Sequence, residues 1–72
     1  MPVVNIKLIE GVFSQDQKQE MIRRMTDVLV DLEGEYMRPF TVVVIEEVKS
    51  GDWGVGGKAL SRADVKALAG GK

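Results

Sequence analysis

The chain has 72 residues, ten basic and eleven acidic, for a formal charge of −1, with no cysteine and no histidine. Disulfides, thiolate chemistry and histidine-built zinc sites are therefore excluded, leaving carboxylates as the only ordinary metal ligands. Charges of both signs are mixed along the chain, which argues against a polybasic nucleic-acid face, and no apolar run reaches the length of a membrane span. The first residues lack the layout of a signal peptide, so a cytoplasmic location is the expectation. A single domain of this size buries only roughly 60% of its unfolded surface, so association with other subunits is expected to supply the missing burial.

Pro2 opens the first predicted element. If the initiator methionine is removed, as a small second residue permits, Pro2 becomes an N-terminal secondary amine. A free α-amino group titrates near pH ~8, and desolvation or a neighbouring cation would bring it into the range where a general base works best. The structural alternative is a proline that merely starts a strand, where its missing N–H costs little.

From Pro2 to Ile9 the residues alternate, with Val4, Ile6 and Leu8 on one side and Val3, Asn5, Lys7 and Ile9 on the other. That pattern predicts a half-buried strand. Ser14-Gln15-Asp16-Gln17 then supplies a capping box, and Met21, Ile22, Met25, Val28, Leu29 and Leu32 recur at helical spacing as a candidate core stripe. Gly34 is a natural helix stop. Pro39 is expected to end the connection, with a second strand running from Phe40 to Val48 and β-branched on both faces. Strand, helix and strand make a βαβ unit with parallel strands, so the helix covers one sheet face. The other face needs a partner.

Lys49 to Lys58 carries four glycines, with Trp53 and Val55 between them, and predicts a tight hairpin or looped excursion. It lacks the spacing of a phosphate-binding loop. A packed turn tryptophan and a ligand contact both remain open for Trp53. Ser61 is placed to cap a short last helix from Arg62 to Ala69, stopped by Gly70-Gly71.

A second-position proline opening a strand, Ile9-Glu10-Gly11, the Ser-x-x-Gln-Lys helix start, a Val-rich strand ending in Glu46-Glu47, and Gly51-Asp52-Trp53-Gly54-Val55-Gly56-Gly57 follow in order. Together they resemble the 4-oxalocrotonate tautomerase family, from Pro2 to about Leu60. The resemblance implies an α+β fold: a β-α-β protomer with parallel strands and a C-terminal hairpin, assembled into a hexamer as a trimer of dimers. It implies proton transfer between the carbons of an enol or dienol and its conjugated keto acid, with Pro2 as base and then acid and no metal or organic cofactor. The implied small-molecule pocket takes in Trp53, Val12, Val42, Leu8 and Arg38. Trp53 stands where members usually carry phenylalanine, part of the apolar wall that keeps the amine desolvated.

Two positions depart from the pattern. Typical members place an arginine after the glycine of the first turn and another in the second strand, where this chain has Val12 and Val42. Valine cannot perform the bidentate carboxylate recognition that the resemblance assigns to those arginines. Three readings follow: a heterohexamer in which a related subunit supplies the arginines; a homohexamer with a substitute cation among Arg38, Lys7 and Lys58, of which Arg38 is the best placed; or a non-catalytic member kept for assembly. Water-activating chemistry is disfavoured, because Asp52 is the only carboxylate of the pocket-forming loop.

Overall fold

The computed structural model describes residues 2–70, with side chains to 68. Met1, whose removal is expected above, and Gly71 of the expected helix stop lie outside the described residues. Two strands, β1 (Val3–Ile9) and β2 (Val42–Val48), flank a long helix, α1 (Gln15–Glu33). A short hairpin of β3 (Trp53–Val55) and β4 (Lys58–Leu60) follows, and α2 (Arg62–Gly70) ends the described chain. The fold is the α+β, β-α-β arrangement expected from the sequence. No helix among the described residues is long and apolar enough to cross a membrane.

β1 and β2 are parallel, in register from Val3 opposite Val42 to Ile9 opposite Val48. Side chains alternate across such a ladder, so Val4, Ile6 and Leu8 share one face with Val43, Ile45 and Glu47. The apolar members of that face are half-buried, whereas Val3, Asn5, Lys7, Val42, Val44 and Glu46 are exposed. On the covered side Glu47 pairs with Lys18 of α1, Nζ to Oε1 3.0 Å, joining the helix start to the far end of β2.

α1 begins with the expected capping box: Gln17 N–H donates to Ser14 Oγ at 3.1 Å and Ser14 N–H donates to Gln17 Oε1 at 2.9 Å. It ends at Gly34, whose N–H donates to Val30 O. The expected core stripe requires correction. Met21, Met25 and Leu29 are half-buried, but Ile22, Val28 and Leu32 are exposed, Leu32 by 84%, while the unanticipated Val30 is buried. Two strands are too narrow to cover a full helical stripe, so its outer edge has no partner within one chain.

The connection after α1 also differs from expectation. Residues Glu35–Phe40 form a 3₁₀ helix with Pro39 inside it, so Phe40 belongs to the connection and β2 starts at Val42. Proline's fixed φ suits this turn. Thr41 then closes it, its N–H donating to Arg38 O and its hydroxyl to Met37 O. The hairpin forms as expected: Gly56 and Gly57, with φ of 60° and 84°, make a turn of the type whose two central residues both need positive φ.

Candidate active site

Pro2 immediately precedes β1 and is half-buried. Its carbonyl accepts a hydrogen bond from Val42 N–H at 3.0 Å, the first bond beside the parallel ladder. Proline has no N–H, so the ladder asks nothing of its nitrogen. Pro2 and Val42 are thus neighbours at the starting end of the sheet, with Val42 on the open face.

Arg38 precedes Val42 by one turn, but its guanidinium is occupied. Nε donates to Glu35 Oε1 at 2.6 Å, Nη2 to Glu35 Oε2 at 3.2 Å and Nη1 to Asp27 Oδ1 at 3.0 Å. Those bonds hold the Arg38 pKa above its ordinary value, Glu35 contributing most, and hold the Glu35 carboxyl below its own. A substrate carboxylate would have to displace two protein carboxylates to use this arginine. Lys7 is engaged on the open face, its Nζ 3.6 Å from Glu46. The Glu46 carboxyl is held low, first by a hydrogen bond from Asn5 and then by the charge of Lys7.

Val12 and Trp53 lie at the opposite end of the strands, after Ile9 and Val48. Six residue steps of β-strand separate the two ends by roughly 20 Å. Leu8 approaches the same far end on the helix face, beside the buried Ile9. This end is tied together by long-range bonds. Glu10 N–H donates to Val48 O at 2.8 Å, and the Glu10 carboxylate accepts from Ser50 N–H at 3.2 Å. Ser50 Oγ accepts from Arg62 N–H at 2.9 Å, and Gly51 N–H donates to Leu60 O at 3.1 Å. Trp53, paired with Leu60 across the hairpin, is half-buried. One protomer therefore brings Pro2 to Val42, and Val12 to the hairpin end, but not one group to the other.

Comparison with known proteins places this arrangement. A family model described as "Tautomerase enzyme" matches residues 2–63. The chain belongs to the tautomerase enzyme family. Among tautomerases of similar sequence, "Probable tautomerase K2" of Dickeya dadantii is 38% identical over 61 residues, covering 85% of this chain and 90% of that protein. "Probable tautomerase Cj0270" of Campylobacter jejuni is 37% identical over 67 residues, covering 93% and 97%. Similar solved tautomerase folds include a 4-oxalocrotonate tautomerase isozyme of Methylibium petroleiphilum, with TM-score 0.72, 30% identity, and 89% of this chain and 97% of that one covered. DmpI from Helicobacter pylori superposes with TM-score 0.70 at 35% identity, covering 81% and 94%.

One residue at the hairpin end was not singled out from the sequence. Arg62 folds back over the first turn so closely that a Cβ at Gly11 would stand 2.6 Å from its Nη1 and nearer still to its Cδ. The only trace in the sequence is the Ser-Arg-Ala-Asp helix start that carries it. Nothing in that tetrapeptide points back to Gly11.

Proposed function

We propose that this tautomerase transfers a proton between the carbons of an enol or dienol and its conjugated keto acid, with the nitrogen of Pro2 as base and then acid after loss of Met1. The observation that carries the reading is the placement of Pro2. It is half-buried at the mouth of β1, anchored through its carbonyl, with a nitrogen that becomes the chain terminus on processing. Removing a proton from the enol oxygen side and returning one to carbon needs a base titrating near neutrality, which a partly desolvated α-amine supplies.

The reading requires more than one chain. Two protomers related by a two-fold axis normal to the sheet run antiparallel, which sets the Pro2 end of one beside the hairpin end of the other. The exposed valines of the sheet and the outer edge of α1 supply apolar surface for such an assembly, proposed as a hexamer of three dimers. A heteromeric version, in which a related subunit supplies arginines, is the second reading, favoured by the apolar side chains at Val12 and Val42.

The test uses protein with its N-terminus verified by mass spectrometry. Processed protein is expected to ketonise phenylenolpyruvate, with kcat/KM rising as the amine deprotonates. Protein retaining Met1 has an amide at that nitrogen and is expected to lose about 10²- to 10⁴-fold, the usual contribution of a general base. Equal activity of the two forms would refute the role of Pro2.

A further inference from the structure

We infer that Arg62 holds the carboxylate of the substrate, an inference that rests on the enol–keto reading above. Its backbone is fixed first. Ser61 and Asp64 form a reciprocal cap, Asp64 N–H donating to Ser61 Oγ at 3.1 Å and Ser61 N–H to Asp64 Oδ2 at 2.9 Å. Arg62 N–H is held by Ser50 Oγ, and Ser50 is in turn held by the Glu10 carboxylate. The start of α2 is therefore fastened to both strand ends.

From there the side chain crosses Gly11. A Cβ at Gly11 would force the arginine side chain to shift, and the φ of +79° disfavours a Cβ independently. The guanidinium thus lies against the Gly11-Val12 turn, on the same end of the sheet as Trp53.

Charge at this end is distributed so that Arg62 stays available. The Glu47 carboxyl is held below its ordinary value by the hydrogen bond from Lys18, with a smaller contribution from the Gly11 backbone. Lys18 therefore answers Glu47. Glu10 accepts from Ser50, and Asp64 from Ser61. Among the described residues, no carboxylate oxygen lies within the 4.0 Å ion-pair distance of Arg62, as is also true of Lys49, Lys58 and Lys66. Arg62 alone of these four carries the planar guanidinium, and the other arginines, Arg23, Arg24 and Arg38, all have acidic partners.

A planar guanidinium is matched to a planar carboxylate, which it can grip through two parallel N–H bonds. The neighbouring Val12 side chain has no polar group to compete for that carboxylate. The positive charge that neither Val12 nor Val42 can provide is thus delivered to the first turn by the helix after the hairpin. With Arg62 in every chain, a homomeric assembly contains its own carboxylate-binding group.

The experiment compares the processed wild type with Arg62→Gln and Arg62→Lys, checking assembly mass for each. Binding of cinnamate and of uncharged methyl cinnamate is measured by calorimetry, and turnover of phenylenolpyruvate and its methyl ester by absorbance. Arg62→Gln is expected to weaken cinnamate binding and raise the KM of the acid by about 10- to 100-fold, as for a lost charged hydrogen bond. The esters should be unaffected and Arg62→Lys intermediate.

Unchanged cinnamate affinity in Arg62→Gln, equal losses for acid and ester, or failure of the wild type to bind cinnamate would each overturn the assignment. If Arg62→Gln does not assemble, Arg62→Lys decides: a higher KM for the acid alone supports the clamp, and parallel or absent changes refute it. Binding through Arg62 without any turnover would leave the clamp standing and sink the proton-transfer reading. Turnover with an unchanged acid KM in Arg62→Gln would do the reverse.

Discussion

Arg38 and Arg62 show why an arginine's position in the chain says little about its use. Arg38 lies just before β2, whose Val42 N–H bonds the Pro2 carbonyl, but three hydrogen bonds to Glu35 and Asp27 engage it. Arg38→Ala is therefore expected to leave the KM for phenylenolpyruvate within about twofold, in keeping with surface substitutions outside a site. A rise as large as that expected for Arg62→Gln would reassign the clamp. Ile9, only 3% exposed, marks the other extreme. Ile9→Ala is expected to destabilise the protein by about 2–5 kcal/mol, measured by chemical denaturation. A loss below the cost of one methylene would show that the strand end is not the packed centre of the protomer.

The elements divide by how local their causes are. The β1 alternation, the Ser14-Gln17 box and the Gly56-Gly57 turn are short-range patterns, and each forms where the sequence places it. Ser14→Ala should accordingly cost about 1 kcal/mol of stability. The 3₁₀ connection was not legible, because Pro39 reads equally as a stop or as part of a tight turn until Thr41 closes it. Nor was the exposed edge of α1, since helical spacing reveals a stripe without the width of the surface opposite. Of the proposed site, Pro2 and Trp53 can be picked out in the sequence because their chemistry is carried by the residues themselves, whereas Arg62 cannot. Its meeting with Gly11 depends on Glu10, Ser50 and the hairpin acting together.

Acid should loosen a different set of contacts. Glu35, Glu46, Glu47 and Asp64 all have carboxyl pKa values lowered in the folded chain, mainly by hydrogen bonds from Arg38, Asn5, Lys18 and Ser61 respectively. A lowered folded pKa contributes stability that is present above the unfolded value, roughly pH 4, and is lost as pH falls through the folded value. The denaturant midpoint is expected to fall as pH drops below about 4. Glu47→Gln should flatten part of that dependence, and an unchanged pH profile in this variant would remove the Lys18 pair from the account.

At the scale of the whole molecule, a single chain is poorly closed. Its accessible surface of 5223 Å² exceeds the about 4400 Å² expected of a compact monomer of 7.9 kDa. Its radius of gyration, 14.9 Å, likewise exceeds the about 11 Å expected for this length. Val3, Val42 and Val44 line the open sheet face, while Val28, Leu32, Tyr36 and Phe40 add exposed apolar area. Stability should therefore depend on association, and a hundredfold dilution is expected to lower Tm by about 5 °C or more.

Val44→Asp separates folding from assembly. On an exposed face an aspartate is readily hydrated, but inside an interface an unpaired carboxylate pays a large desolvation cost. Native mass spectrometry should show the variant as dimers rather than hexamers, because the edge-to-edge pair does not use this face, with circular dichroism at high dilution matching the wild type at the same chain concentration. Retention of the wild-type assembly by Val44→Asp would exclude the open sheet face as the contact and leave the outer edge of α1 to carry it.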